Sequence, residues 1–194
     1  MRNLFIITAV LVLFTTPFAR SDSYYWTNGG GDNDFTKGYN WLDKYDDVFT
    51  DSDDFQIDMS SPDEAIIGIN DASTVGRWVL IAKINNTVGE LRVIGGVSNF
   101  SKGLSVGGNL SDATNAEGYF KVSGGEINFL DSFISVGQQG YGNMEVSGGI
   151  CRADRGNIAS GTAAQGDLSI TGGLFELTNH FDCGLRGTAA MDIS

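Results

Sequence analysis

The sequence repeats itself. Four stretches carry the pattern Gly-x-apolar-x-apolar-x-Gly-Gly, at residues 89–96, 118–125, 142–149 and 166–173. The last three follow one another at 24 residues, and the first precedes them by 29. A second motif follows each one: Leu104-Ser105-Val106-Gly107, Ile134-Ser135-Val136-Gly137, Ile158-Ala159-Ser160-Gly161 and Phe181-Asp182-Cys183-Gly184. A fixed period of this length means a solenoid, because one coil cannot bury its own core and its neighbours must stack on it.

Within each unit apolar residues alternate with others, which is the period of a strand. Leu91, Phe120, Met144 and Leu168 form one column, and Val93, Val122, Val146 and Ile170 form the next. Successive strand side chains face opposite ways, so both columns point inward. Ile127/Phe129, Cys151/Ala153 and Phe175/Leu177 mark a second strand, and Ile134/Val136 with Ile158/Ser160 a third. Three strands joined by glycine corners in about 24 residues describe one coil of a parallel β-helix. The fold expected is therefore all-β, a parallel β-helix or β-solenoid with an N-terminal cap. Each Gly-Gly turns a corner where a Cβ would clash or φ must be positive.

Charges supply an independent check. Residues one period apart lie about 4.8 Å from each other on adjacent coils, so outward charges should alternate in sign. Lys121 falls over Glu145, Asp131 over Arg155 and Arg152 over Glu176, all opposite pairs. The longer first repeat sets Arg92 over Lys121, and its five extra residues read as a loop at 108–117.

The flanks differ. Arg2, the apolar run 4–14, Pro17 and the small residues Ala19 and Ser21 read as a secretory leader over residues 1–21, the run being too short to span a bilayer. Its removal takes Arg2 and Arg20 and no acid, moving the net charge from −12 to −14. So acidic a chain repels nucleic acid and anionic lipid, and the mature chain holds no membrane span. Residues 22–81 read as a cap with the first strands and an acidic loop, and 82–194 as the repeats. The last residues, 190–194, begin a coil and stop before its Gly-Gly, which suggests a fragment of a longer protein and an end that self-associates.

Residues 26–32 (WTNGGGD), Asn40-Trp41 and Pro62-Asp63-Glu64-Ala65-Ile66-Ile67 follow an order that resembles the start of bacterial exported β-helical proteins with autotransporter-associated or passenger-like repeats. The GxLxVSGG units resemble the repeats that follow it there. The resemblance implies secretion or cell-surface display and a non-enzymatic stalk or adhesive role.

The chemistry-bearing residues are sparse. Arg152, Asp154 and Arg155 with Asp131 form the densest charged cluster and read as ladder pairs rather than catalytic groups. No catalytic set is assigned, and His180 stands without a partner. Tyr24, Tyr25, Trp26, Tyr39 and Trp41 could stack on sugar rings, or be buried cap aromatics. Asp51, Asp53 and Asp54, in an acidic stretch with Asp46, Asp47 and Asp58, could hold Ca²⁺ through oxygen ligands, although the spacing is not that of an EF-hand. Cys151 and Cys183 read as inward-facing thiols on different strands. The function expected is a non-enzymatic secreted or cell-surface structural or adhesive protein, with extracellular polysaccharide or cell-surface components as partners. The alternative is a polysaccharide-active enzyme or carbohydrate-binding module.

Overall fold

A computed structural model describes residues 22–44, 46–59, 64–69, 73–109 and 113–194. The leader at 1–21, Pro62 and Asp63 lie outside them, as does the side chain of Asp131. The alternation read from the sequence becomes thirteen strands in one parallel-paired sheet system, with no α-helix among the described residues. They are β1 (Ser23–Tyr25), β2 (Asp54–Ile57), β3 (Glu64–Ile67), β4 (Thr74–Gly76), β5 (Trp78–Ile81), β6 (Val88–Phe100) and β7 (Leu104–Val106). There follow β8 (Glu117–Val136), β9 (Tyr141–Val146), β10 (Ile150–Ile158), β11 (Gln165–Ile170), β12 (Leu174–Cys183) and β13 (Thr188–Ile193). The chain is a β-solenoid of about 5 turns, its strands about 24 residues apart.

Each coil has three faces. The first stacks Ala65, Leu91, Phe120, Met144, Leu168 and Met191 in one inward column. The second stacks Ile127, Cys151 and Phe175. The third runs from Tyr24 through Phe55, Val79, Leu104 and Ile134. Stacking thus reaches back into the region before the repeats, because β2 to β5 already form a coil beneath β6 and β7. Most of these inward side chains are fully buried, and Phe100 stacks on Phe129 at 5.6 Å between centroids. Burial of this continuous apolar column, at roughly 25 cal/mol per Å² removed from water, is what holds coil to coil.

Two rows of left-handed backbone turn the corners. Gly96, Gly125, Gly149 and Gly173 have φ between 68 and 71°. A Cβ on Gly149 would stand 2.6 Å from the carbonyl carbon of Gly124, so the row admits little else. The second row is Ala82, Gly107, Gly137, Ala159 and Gly184, with φ of 51, 76, 66, 52 and 70°. Each of the five donates its N–H to the last strand carbonyl of the preceding coil, at 2.7 to 2.9 Å.

That row corrects one alignment. Ile158 pairs with Val136, and Gly156 with Ile134, so Ala159 and not Gly161 stands over Gly137. Ser160 therefore does not continue the column of Val136, and the residue beneath Cys183 is Ile158. The shift arises between Ala153 and Arg155, where the register slips. Asp154 alone spans the stretch that takes three residues in the coil below, and the turn after Ala159 is two residues longer to compensate. Arg155 accordingly lies beside Phe133, not Asp131, and bonds its own neighbour Asp154 at 3.2 Å.

The other charge pairs fall in register with a diagonal twist. Arg152 and Glu176 bond at 2.8 Å, and Arg152 also reaches Glu126 at 2.7 Å. Lys121 lies between Arg92 and Glu145 as expected, but its ammonium bonds Glu90 at 2.8 Å. Arg92 turns to Glu64 at 3.1 Å. The diagonals separate the two like charges. These exposed pairs contribute tenths of a kcal/mol each.

Cys151 is buried and Cys183 exposed, and neither is bonded. Cys183 occupies an inward column, yet no coil of this chain covers it. Phe175, Leu177, Phe181, Met191 and Ile193 likewise lie on the last coil, and with the buried Leu168 they line an open apolar hollow of about 300 Å³. No helix among the described residues is long and apolar enough to cross a membrane.

Candidate functional site

The aromatic segment before the repeats folds over the first coil. Asn28 and Asn33 hold left-handed backbone with φ of 49 and 59°, which asparagine tolerates, and Asn28 Nδ2 donates to Asn33 Oδ1 at 2.6 Å. The fully buried Asn40 donates to Asp32 Oδ1 at 2.7 Å and to the Asp34 carbonyl at 2.9 Å, and accepts from the Gly30 N–H at 2.8 Å. These bonds tie residues 28–40 into a compact knot.

The five aromatics proposed as a sugar platform are divided by that packing. Trp26 and Trp41 are 3% and 2% exposed and meet edge to face at 4.9 Å. Trp41 rests on Phe35 and Phe55 and donates its indole N–H to the Phe35 carbonyl at 2.8 Å. Tyr24 lies half-buried over Phe55. Trp26 and Trp41 plug the end of the core, while Tyr24 lies between Phe55 and the Lys44 ammonium. Tyr25 and Tyr39 remain, 46% and 53% exposed.

Tyr39 is held by its hydroxyl, which donates to Asp32 Oδ2 at 2.7 Å. The bond pushes the phenol up to about 12 and holds the Asp32 carboxyl below its ordinary value. Tyr39 borders a broad open depression of about 670 Å³, lined also by Thr27, Trp41, Leu42, Asp43, Lys44, Asp46 and Asp47.

The candidate calcium ligands do not converge. Asp54 accepts two bonds from the Arg77 guanidinium, at 2.7 and 2.5 Å, which raise the Arg77 pKa. Asp53 accepts the Thr50 N–H at 2.9 Å and lies 4.0 Å from Lys44 Nζ. The Asp51 carboxylate accepts from Ser52 Oγ at 3.5 Å, and its backbone carbonyl from Ser101 Oγ at 3.2 Å. Among the described residues no three His, Cys, Asp or Glu side chains form a metal-binding group.

The loop instead carries a cation of its own. The Lys44 side chain is 5% exposed. Its ammonium bonds Asp46 at 3.1 Å and the Val48 carbonyl, and lies 4.7 and 4.8 Å from the Tyr24 and Phe49 ring centroids. Two carboxylates, a carbonyl and two ring faces are a complete shell for a buried ammonium. The bond from Lys44 holds the Asp46 carboxyl below its usual range.

Asp58 pins the next turn. It accepts the Lys83 N–H and lies 3.4 Å from Thr87 Oγ1. Burial outweighs these bonds and raises its carboxyl pKa. The charged cluster around Arg152 resolves into the ladder pairs given above. His180 Nε2 lies 3.0 Å from Asp182 Oδ2 on the exposed last coil.

Two sets of aromatics on the outward faces were not singled out in the sequence. Trp78 and Phe133 stand in one outward column with Gly103 between them, their rings 5.4 Å apart. Tyr119 and Tyr141 stand outward on the first face, 6.0 Å apart at 65°. The alternation that points Phe120 and Met144 inward is the signal that would have found the tyrosine pair. No family model, no curated protein and no solved structure matches the chain.

Proposed function

We propose that this chain is an exported, non-enzymatic β-solenoid with a structural or adhesive role at a cell surface. The observation that supports it best is the parallel stacking of the described strands on all three faces, with several outward charges tied into pairs between coils. Such a rod holds its shape through many small repeated contacts and presents long flat faces. The apolar leader at 1–21 and the resemblance to exported β-helical proteins support export. The buried Trp26 and Trp41 favour reading the aromatic segment as a structural cap.

The test is expression with the native leader and an epitope tag in a bacterial host. Cleavage after Ser21, with Asp22 as the new N-terminus by mass spectrometry, and digestion of the tag by protease added to intact cells are the expected results. Retention of the uncleaved chain in the cytosol would refute the reading. Release of new reducing ends from a panel of polysaccharides would establish the enzymatic alternative instead.

A further inference from the structure

Strands β8, β9 and β11 set their outward residues into a flat lattice on the first face. Tyr141 pairs across the coils with Glu117, Tyr119 with Asn143, and Asn143 with Asp167. The two tyrosines are diagonal neighbours, and their rings meet at 65° to form a shallow corner. Each hydroxyl points at a carboxylate: Tyr141 donates to Asp167 at 2.9 Å, and Tyr119 faces Glu117 at 3.5 Å. Both rings are half-buried, and the Tyr141 hydroxyl is held by its bond to Asp167.

The charge of this face is lopsided. Glu117, Glu145 and Asp167 lie on it, and Lys121 is its one base among these strands. Lys121 is already committed to Glu90 and leaves Glu145, its neighbour in register, without an ion pair among the described residues. Its ammonium lies 5.9 Å from the Tyr119 ring centroid, so the face already holds one positive group against an aromatic. Ring faces, an amide and unneutralised carboxylates on a flat surface match a ligand with apolar C–H faces, hydroxyls and positive charge.

We propose that the Tyr119–Tyr141 face binds an amine-bearing glycan, a hexosamine polymer with free amino groups. The sugar rings pack into the corner of the two tyrosines. Asn143 bonds their hydroxyls, and Glu145 and Asp167 receive the ammonium groups. The inference rests on the adhesive reading above for its biological setting, and its test does not depend on export.

Purified residues 22–194 are titrated calorimetrically with glucosamine oligosaccharides, their N-acetylated counterparts, uronate oligosaccharides and a lysine peptide of equal charge. The free-amine sugars are expected to bind, with at least about fivefold loss on N-acetylation, and no binding of uronates. Tyr141→Ala and Glu145→Gln should each weaken binding by about three- to fivefold, while Tyr141→Phe keeps most of it. Circular dichroism confirms that each variant retains its fold, and Tyr141→Phe and Glu145→Gln serve if Tyr141→Ala does not. Equal binding of N-acetylated sugars, no binding of either, or a lysine peptide that binds as well and is indifferent to Tyr141 would each overturn the proposal. Failure of export in cells would leave these titrations unchanged, so the two readings fall separately.

Discussion

Ala159 stands directly over Gly137, and the two share a left-handed backbone, φ 52° against 66°. Alanine therefore occupies a corner that glycine fills one coil earlier. The surroundings differ: a Cβ on Gly137 would stand 2.1 Å from the Gln165 carbonyl oxygen. Gly137→Ala is expected to destabilise the chain by about 1–3 kcal/mol, from a clash added to backbone strain. Ala159→Gly is expected to change stability by less than about 1 kcal/mol, since relief of strain offsets the added chain entropy. Urea unfolding of both variants checks the contrast.

The two thiols should separate cleanly. Burial pushes the Cys151 thiol far up, whereas Cys183 is exposed. Iodoacetamide at pH 8 is expected to label Cys183 in the native chain and Cys151 only after unfolding, as read by peptide mass spectrometry. Rapid native labelling of Cys151 would show that the second face opens.

Removing the internal cation should free the acidic loop. Lys44→Met leaves Asp53 without its positive neighbour and is expected to cost about 3 kcal/mol. Trypsin-independent proteolysis within residues 43–53 should accelerate. In the unaltered chain, CaCl₂ at about 1–5 mM, the range of weak extracellular sites, should leave the melting temperature where it is. A rise of several degrees would place a metal where the geometry shows an ammonium.

Asp58 and Asp32 should respond to acid in opposite senses. Asp58 has a raised pKa, so its contribution is fully present below the ordinary value of 3.8 and is lost as pH rises through the folded-state pKa. Asp32 has a lowered one, so its contribution is present above 3.8 and lost as pH falls through the folded-state pKa. Asp58→Asn should therefore gain on the unaltered chain as pH climbs from 3.8 through the raised folded-state pKa, and Asp32→Asn should lose on it as pH rises through the lowered one towards 3.8. Melting curves across that range test both signs.

The open hollow at the last coil should make residues 22–194 sticky. Met191 and Ile193 are 49% and 64% exposed in the inward columns that begin at Ala65 and Ile67. Light scattering is expected to show concentration-dependent association, reduced by Met191→Lys with Ile193→Asp. A monodisperse unaltered chain would contradict it.

The columns and the Gly-Gly corners were legible because they recur at a fixed spacing and because alternation fixes which side chains face inward. The slip at Asp154 was not. A shortened second face followed by a lengthened turn leaves the distance between successive Gly-Gly pairs at 24, and Ala159 hides the corner that a glycine would have marked. The fate of the cap aromatics was equally hidden, since Trp26 and Tyr39 differ only in what packs on them. Trp41 packs on Trp26 and itself rests on Phe35 and Phe55, while Tyr39 is turned outward by its bond to Asp32. Nor does the composition of an acidic stretch reveal that Lys44 is its own counter-ion.

The paired rows of left-handed corners give the molecule an adjustable length. Because successive coils meet through the same columns, one further 24-residue period would find inward residues to stack on. Each such period changes the reach of the rod by one strand spacing, about 4.8 Å. At Asp154 two residues fewer before the corner are offset by two more after it, and the corners stay aligned. Reach is thus a quantity that selection can set in fine steps, independently of whatever the faces carry.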